Sequence, residues 1–120
     1  MERYVDGDYG WLTAWYYFDV AGRATVEGLL AGGGVAVDTR GQSDFDAGHL
    51  PDAEHAPAAG ILTDPAAFLA GRDPLKPLIL YGAERPDATL RKAAAAVEGT
   101  VDGPRVYLYT GGYADWQGGN

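Results

Sequence analysis

Residues 78–97 set three local signals in close succession, and that order admits few folds. Leu78, Ile79, Leu80 and Tyr81 form a short apolar run behind Pro77, residues 82–86 form a tight loop, and Asp87 opens an alanine-rich stretch with Leu90, Ala93, Ala94 and Val97 at helical spacing. A buried strand, a loop and a capped helix are the parts of a βα unit. In an open parallel sheet, the loop at the carboxyl end of a central strand is where ligands and reacting groups collect.

The rest of the chain repeats that alternation. The segment 24–30 has helical spacing, with Val26, Leu29 and Leu30 apolar, and is stopped by Gly32, Gly33 and Gly34. Because this glycine run precedes a strand instead of following one, it reads as a helix terminator and not as a phosphate loop. Val35, Ala36, Val37 and Asp38 form a small-residue strand. Ser43 is a suitable N-cap for one helical turn through Phe45, ended by Gly48, and residues 54–57 are extended. Asp64 before Pro65 predicts a helix to Ala70 with Gly71 at its C-terminal cap. The segment 105–109 is the last strand, and Gly111 and Gly112 turn into a helical piece containing Trp116.

Ahead of these, residues 1–10 are polar, acidic and expected to be loose. Trp11, Trp15, Tyr16, Tyr17 and Phe18 crowd the next eight positions, where β-favouring composition predicts a strand over residues 15–20. We read residues 1–19 as a polar, then aromatic N-terminal segment and 20–120 as one domain. Strands separated by short helices imply a four- or five-stranded, mostly parallel α/β sheet with helices on both faces.

Composition removes several function classes. The 120 residues include 17 acidic and 9 basic side chains, a net charge of −8, which repels nucleic-acid backbones and anionic lipid. No apolar run approaches the roughly 18 residues of a membrane span. Membrane insertion is therefore not expected. The compartment stays open, with the cytoplasm slightly favoured and an exported location requiring a leader removed ahead of Met1. The absence of cysteine excludes disulfides, thiolate metal sites and thiol catalysis by this chain.

Three pieces together resemble a rhodanese-like domain: Val35-Ala36-Val37-Asp38-Thr39-Arg40, then Phe45-Asp46-Ala47-Gly48-His49-Leu50-Pro51-Asp52-Ala53, then Gly111-Gly112-Tyr113-Ala114-Asp115-Trp116. The resemblance implies a five-stranded parallel α/β fold and, in active members, a sulfurtransferase whose loop cysteine carries a persulfide. Glycines in that loop let backbone N–H groups surround the anionic sulfur, and the helix dipole adds positive potential. The family's nucleophile follows the central strand directly, which places it at Gly82, where there is no side chain to carry sulfur. Asp87 stands where active members often have an arginine, and Ala88 where a hydroxyl is common. The loop Gly82, Ala83, Glu84, Arg85, Pro86 and Asp87 is thus a vestigial one, with Arg85 as its remaining anion contact.

The other candidates have structural readings. Asp38 and Arg40 form an acid and an anion clamp or, as the resemblance supports, a hydrogen-bond network at a strand end. His49 reads as a histidine that pins its turn. His49 and His55 lie among Asp44, Asp46, Asp52 and Glu54, but at spacing too irregular for a metal, so no metal and no cofactor are expected. Tyr81, Thr89 and Thr110 carry hydroxyls near the pocket with no histidine or lysine placed to activate one. Gly48, Gly111, Gly112 and Trp116 complete the structural motif. The expectation is an inactive rhodanese-like domain serving as a protein-interaction or accessory module, with Trp11, Trp15 and Tyr16 as a partner patch. The alternatives are a small-anion or small-molecule module using the vestigial loop, and a sulfurtransferase-related enzyme whose thiol a partner supplies.

Overall fold

The computed structural model describes residues 3–5, 17–98 and 104–118. In chain order its elements are β1 (Arg3–Val5), β2 (Tyr17–Ala21), α1 (Arg23–Ala31), β3 (Val35–Asp38), α2 (Gln42–Ala47), β4 (Glu54–His55), α3 (Ala58–Thr63), α4 (Pro65–Leu69), β5 (Leu78–Tyr81), α5 (Ala88–Glu98), β6 (Val106–Tyr109) and α6 (Gly112–Gly118). One sheet holds all the strands in the order β1-β2-β6-β5-β3-β4. The five strands from β2 to β6 run parallel, as expected. The sixth, β1, is antiparallel and pairs Arg3 with Asp19 and Val5 with Tyr17. Residues 1–10 were expected to be loose, yet Arg3–Val5 supplies this added edge strand. The unpaired N–H and C=O groups along β2 give even three extended residues a hydrogen-bonding partner.

β5 is central because nothing in it needs water. All four of its residues are buried, the continuous apolar run expected of a strand covered on both faces. Alternation divides them. Leu78 and Leu80 join Val37, Val106 and Leu108 against Leu90, Ala93, Ala94 and Val97 of α5, with Ile61 of α3. Ile79 and Tyr81 point the other way, to Ala36, Tyr107 and Tyr109, under Val26 of α1 and Leu50. The two alanines facing the sheet let α5 pack closely, and a helix then covers the strand pair that flanks the loop at 82–87.

The helix ends follow their local chemistry. Asp64 accepts a hydrogen bond from the Ala67 amide at 3.1 Å, and Pro65 opens α4. That helix closes one residue earlier than expected, at Leu69, with Gly71 in the left-handed region at φ 76°. Gly34 is tied to its place by space, since an added Cβ would lie 2.8 Å from the Leu29 carbonyl oxygen and 3.0 Å from Ile79 Cδ1.

Two elements depart from the expectations. α2 is six residues long and begins after Gly41, which offers no side-chain cap, so Ser43 lies inside the helix instead of capping it. α3 was not expected at all. Its sequence contains Gly60 and buries only Ile61, so neither propensity nor periodicity announces it; tertiary packing against α5 makes it a helix.

Burial sets the energetic scale. Leu80 is fully buried and Leu75 is 88% exposed. Leu80→Ala is expected to destabilise by about 2–5 kcal/mol and Leu75→Ser by less than about 0.5 kcal/mol, read as urea midpoints at unchanged slope.

Candidate functional site

The loop after β5 is held from three directions. The Thr39 amide and hydroxyl both donate to the Tyr81 carbonyl, at 3.0 and 2.8 Å, joining the ends of β3 and β5. The first turn of α6 reaches back, with the Tyr113 amide donating to Gly82 O at 2.9 Å and the Ala114 amide to Ala83 O at 2.8 Å. This approach requires glycine at position 112: its φ is 65°, and a Cβ there would lie 2.6 Å from the Glu84 carbonyl oxygen. On the far side, Asp87 accepts from the Leu90 amide at 2.9 Å, capping α5. Pro86 is buried, and its carbonyl accepts from Nη1 of Arg91 at 2.5 Å.

These contacts leave a cleft of about 300 Å³ at the carboxyl ends of β3 and β5. Gly82 lies in its lining. A Cβ built there meets Leu90 Cδ2 at 3.3 Å and Thr39 Oγ1 at 4.0 Å, so a side chain at this position would need the end of the Leu90 side chain to give slightly. The cleft's charged lining is Asp44, Glu84 and Asp87 against Arg40 and Arg85. Arg85 is exposed. Arg40 is committed elsewhere, which leaves the cleft acidic.

Arg40 belongs to a buried network. Its Nε donates to both Asp38 carboxylate oxygens at 3.0 and 3.1 Å, and Nη2 donates to Oδ2 at 2.6 Å. Nη2 also donates to Gly48 O at 2.6 Å, and the guanidinium lies over the Tyr113 ring at 4.4 Å. Gly48 is extended, so its need is spatial: a Cβ would collide with the Tyr113 hydroxyl. The Tyr81 hydroxyl donates to Asp38 Oδ2 at 2.9 Å and accepts from the Leu50 amide at 3.0 Å. It therefore faces the α1 side of the sheet and does not reach the cleft.

Burial opposes the charge on Asp38. The hydrogen bonds from the Arg40 side chain and amide and from Tyr81, with the Arg40 charge, outweigh that penalty and hold the carboxyl below its ordinary range. Burial pushes the Tyr81 hydroxyl up, and its bond to Asp38 pushes the same way, so it stays protonated as a donor.

The two histidines flank Phe45 and hold backbone. His49 Nδ1 donates to Phe45 O at 2.8 Å, with the rings stacked at 4.0 Å, and His55 Nε2 donates to Arg40 O at 2.7 Å, its ring 5.0 Å from that of Phe45. No cluster that could hold a metal ion occurs among the described residues. Gly111 leaves space for Asp115, which accepts from the Tyr109 hydroxyl at 2.5 Å, and Trp116 meets Tyr109 edge-on at 6.5 Å. Trp11, Trp15 and Tyr16 lie outside the described residues. Sequence reasoning had not placed Tyr113, the residue that joins Arg40, Gly48 and the loop; its position right after the Gly111-Gly112 pair was the available signal.

The lowered folded-state value of Asp38 fixes a sign. Its stabilising contribution is complete above the unfolded carboxylate value of about 3.9 and is lost as pH falls through the lower folded value. Asp38→Asn is expected to cost about 3 kcal/mol at pH 7, and the difference between variant and parent should shrink below about pH 4. Urea unfolding between these pH values measures both.

The family model of the rhodanese-like domain matches residues 23–118. Similar solved structures include the human single-domain sulfurtransferase, at TM-score 0.64 and 21% identity, covering 84% of this chain and 96% of that one. Another is a Saccharomyces cerevisiae homologue of single-domain rhodanese and the Cdc25 phosphatase catalytic domain, at 0.64 and 18%, covering 85% and 81%. A rhodanese-like domain from an Anabaena protein superposes at 0.63 and 18%, covering 82% and 73%. No curated protein sequence matches. At these identities the structural likeness speaks for the fold, and the family model carries the assignment: this chain belongs to the rhodanese-like domain family, as a member without cysteine.

Proposed function

We propose that this chain is a rhodanese-like module without sulfurtransferase activity that serves as a protein-interaction or accessory unit. The observation that carries the reading is Gly82 in the lining of an otherwise formed cleft. A persulfide needs a thiol, and the chain has none. The cleft's electrostatics point the same way. An anionic sulfur donor would meet Asp44, Glu84 and Asp87, while the charge of Arg40 is answered by Asp38 at 2.6 Å. Asp87 also satisfies an α5 amide that an anion at the helix start would otherwise use. Binding of a small anion in the cleft is the weaker reading for the same reason, since Arg85 is the sole cation among its described lining residues that is not held in an ion pair.

Incubation with thiosulfate and a cyanide acceptor is expected to give no turnover above buffer, and clear turnover would overturn the proposal. The loop geometry has its own test. Gly82→Cys combined with Asp87→Arg is expected to give a thiol titrating below about 8.5 that takes up sulfane sulfur, seen by mass spectrometry. A folded double variant that forms no persulfide would mean that more than the two side chains separates this loop from an active one.

A further inference from the structure

A second concavity lies at the other end of the sheet. β3 spans Val35–Asp38; the cleft begins beyond its last residue, at Thr39, whereas a groove of about 380 Å³ touches its first two. Its floor is Val35, Ala36 and Leu30, one wall is Trp116, and the lips are the end of α1 and the turn at 50–53. That volume lies at the lower end of the range for sites that take a small ligand or a few side chains.

The groove is apolar inside and acidic at its edge. Among its described lining residues only Glu27 and Asp52 are charged, in a chain of net charge −8. Glu27 carries Arg23 at 3.3 Å. That arginine is further occupied by the Trp116 carbonyl at 2.5 Å and by the Trp116 ring at 4.5 Å, so it braces the wall from behind. Asp52 is exposed on the opposite lip and makes no ion pair among the described residues. Its position is fixed by backbone: the Ala53 amide donates to Leu50 O at 3.1 Å, Pro51 leads the turn, and Asp52 has φ 56°, where glycine would be the easier residue. The turn thus holds one carboxylate at the mouth of an apolar slot.

We infer that this groove docks a partner protein segment that presents one or two apolar side chains beside a lysine or arginine, the apolar part seating on Leu30, Val35 and Trp116 and the cation meeting Asp52. The inference rests on the interaction-module reading and gives it a surface.

The test uses the whole chain and three synthetic peptides that alternate leucine with lysine, leucine with glutamate, and serine with lysine. In an NMR titration the leucine–lysine peptide is expected to shift the Ala31, Val35 and Asp52 amides and the Trp116 indole N–H, with the other two binding at least roughly tenfold more weakly. Ala31→Arg, at an exposed helix end, fills the groove and should weaken binding by more than about tenfold. Asp52→Gly removes the carboxylate while easing the turn, so it should weaken binding roughly threefold to fivefold with no loss of thermal stability. Equal binding of either control peptide, shifts spread elsewhere, no shifts at millimolar peptide, or an unchanged affinity in Asp52→Gly would overturn the inference. Each of those outcomes leaves the noncatalytic reading standing, which fails only on sulfur transfer.

Discussion

The structure depends on one buried carboxylate. Asp38 ends β3 with its side chain fully out of solvent, and its two oxygens gather Arg40 from the following loop and Tyr81 from the end of β5. Through Arg40 the same group fixes the Gly48 carbonyl, and through Tyr81 it fixes the Leu50 amide. Three chain segments, around residues 38–40, 48–50 and 81, therefore meet at a single ionised group. Taking such a charge out of water is costly unless its lone pairs are answered, and here hydrogen bonds from a side-chain guanidinium, a backbone amide and a phenol answer them. A network of this kind works as a unit, because removing one member leaves the others buried and unsatisfied.

Close backbone approach does the remaining positioning. Gly112 allows α6 to press on Glu84, and Gly48 allows the Tyr113 hydroxyl to occupy the place of a side chain. Tyr113 belongs to both contacts, giving its amide to the loop carbonyl of Gly82 and its ring to Arg40. The loop and the Asp38 network are thereby braced against the same residue. This explains how a cleft of some 300 Å³ persists in a chain without cysteine: the contacts that shape it come from the scaffold.

Much of this was legible in the sequence, for identifiable reasons. The β5–loop–α5 unit has a strand with no charged residue, a carboxylate cap and regular helical spacing, each a local signal. Asp64-Pro65 likewise announced α4. The resemblance carried by three dispersed segments led to Gly82 and Asp87, which local patterning alone would have left as loop and cap. What escaped was tertiary in origin. α3 forms because Ile61 packs under α5, β1 forms because β2 has an open side, and Tyr81 turns away from the cleft because strand alternation and Asp38 draw its hydroxyl to the opposite face. Leu30, Ala31, Asp52 and Trp116 meet across an interval of 86 positions, so no window of sequence could reveal the groove they line.

The two rims of the sheet have a consequence for assembly. At one rim the parallel order stops at β1, three residues running against the others; at the opposite rim β4 is two residues long, and its Glu54 side chain is bound by Arg72 at 2.6 Å. Among the described residues neither offers the long, flat row of free N–H and C=O groups that another strand needs as a template. Adding a neighbour's strand to extend the sheet would gain little main-chain bonding at either rim, so any contact with another chain falls to side chains on helices and turns, where substitutions can accumulate without disturbing the sheet.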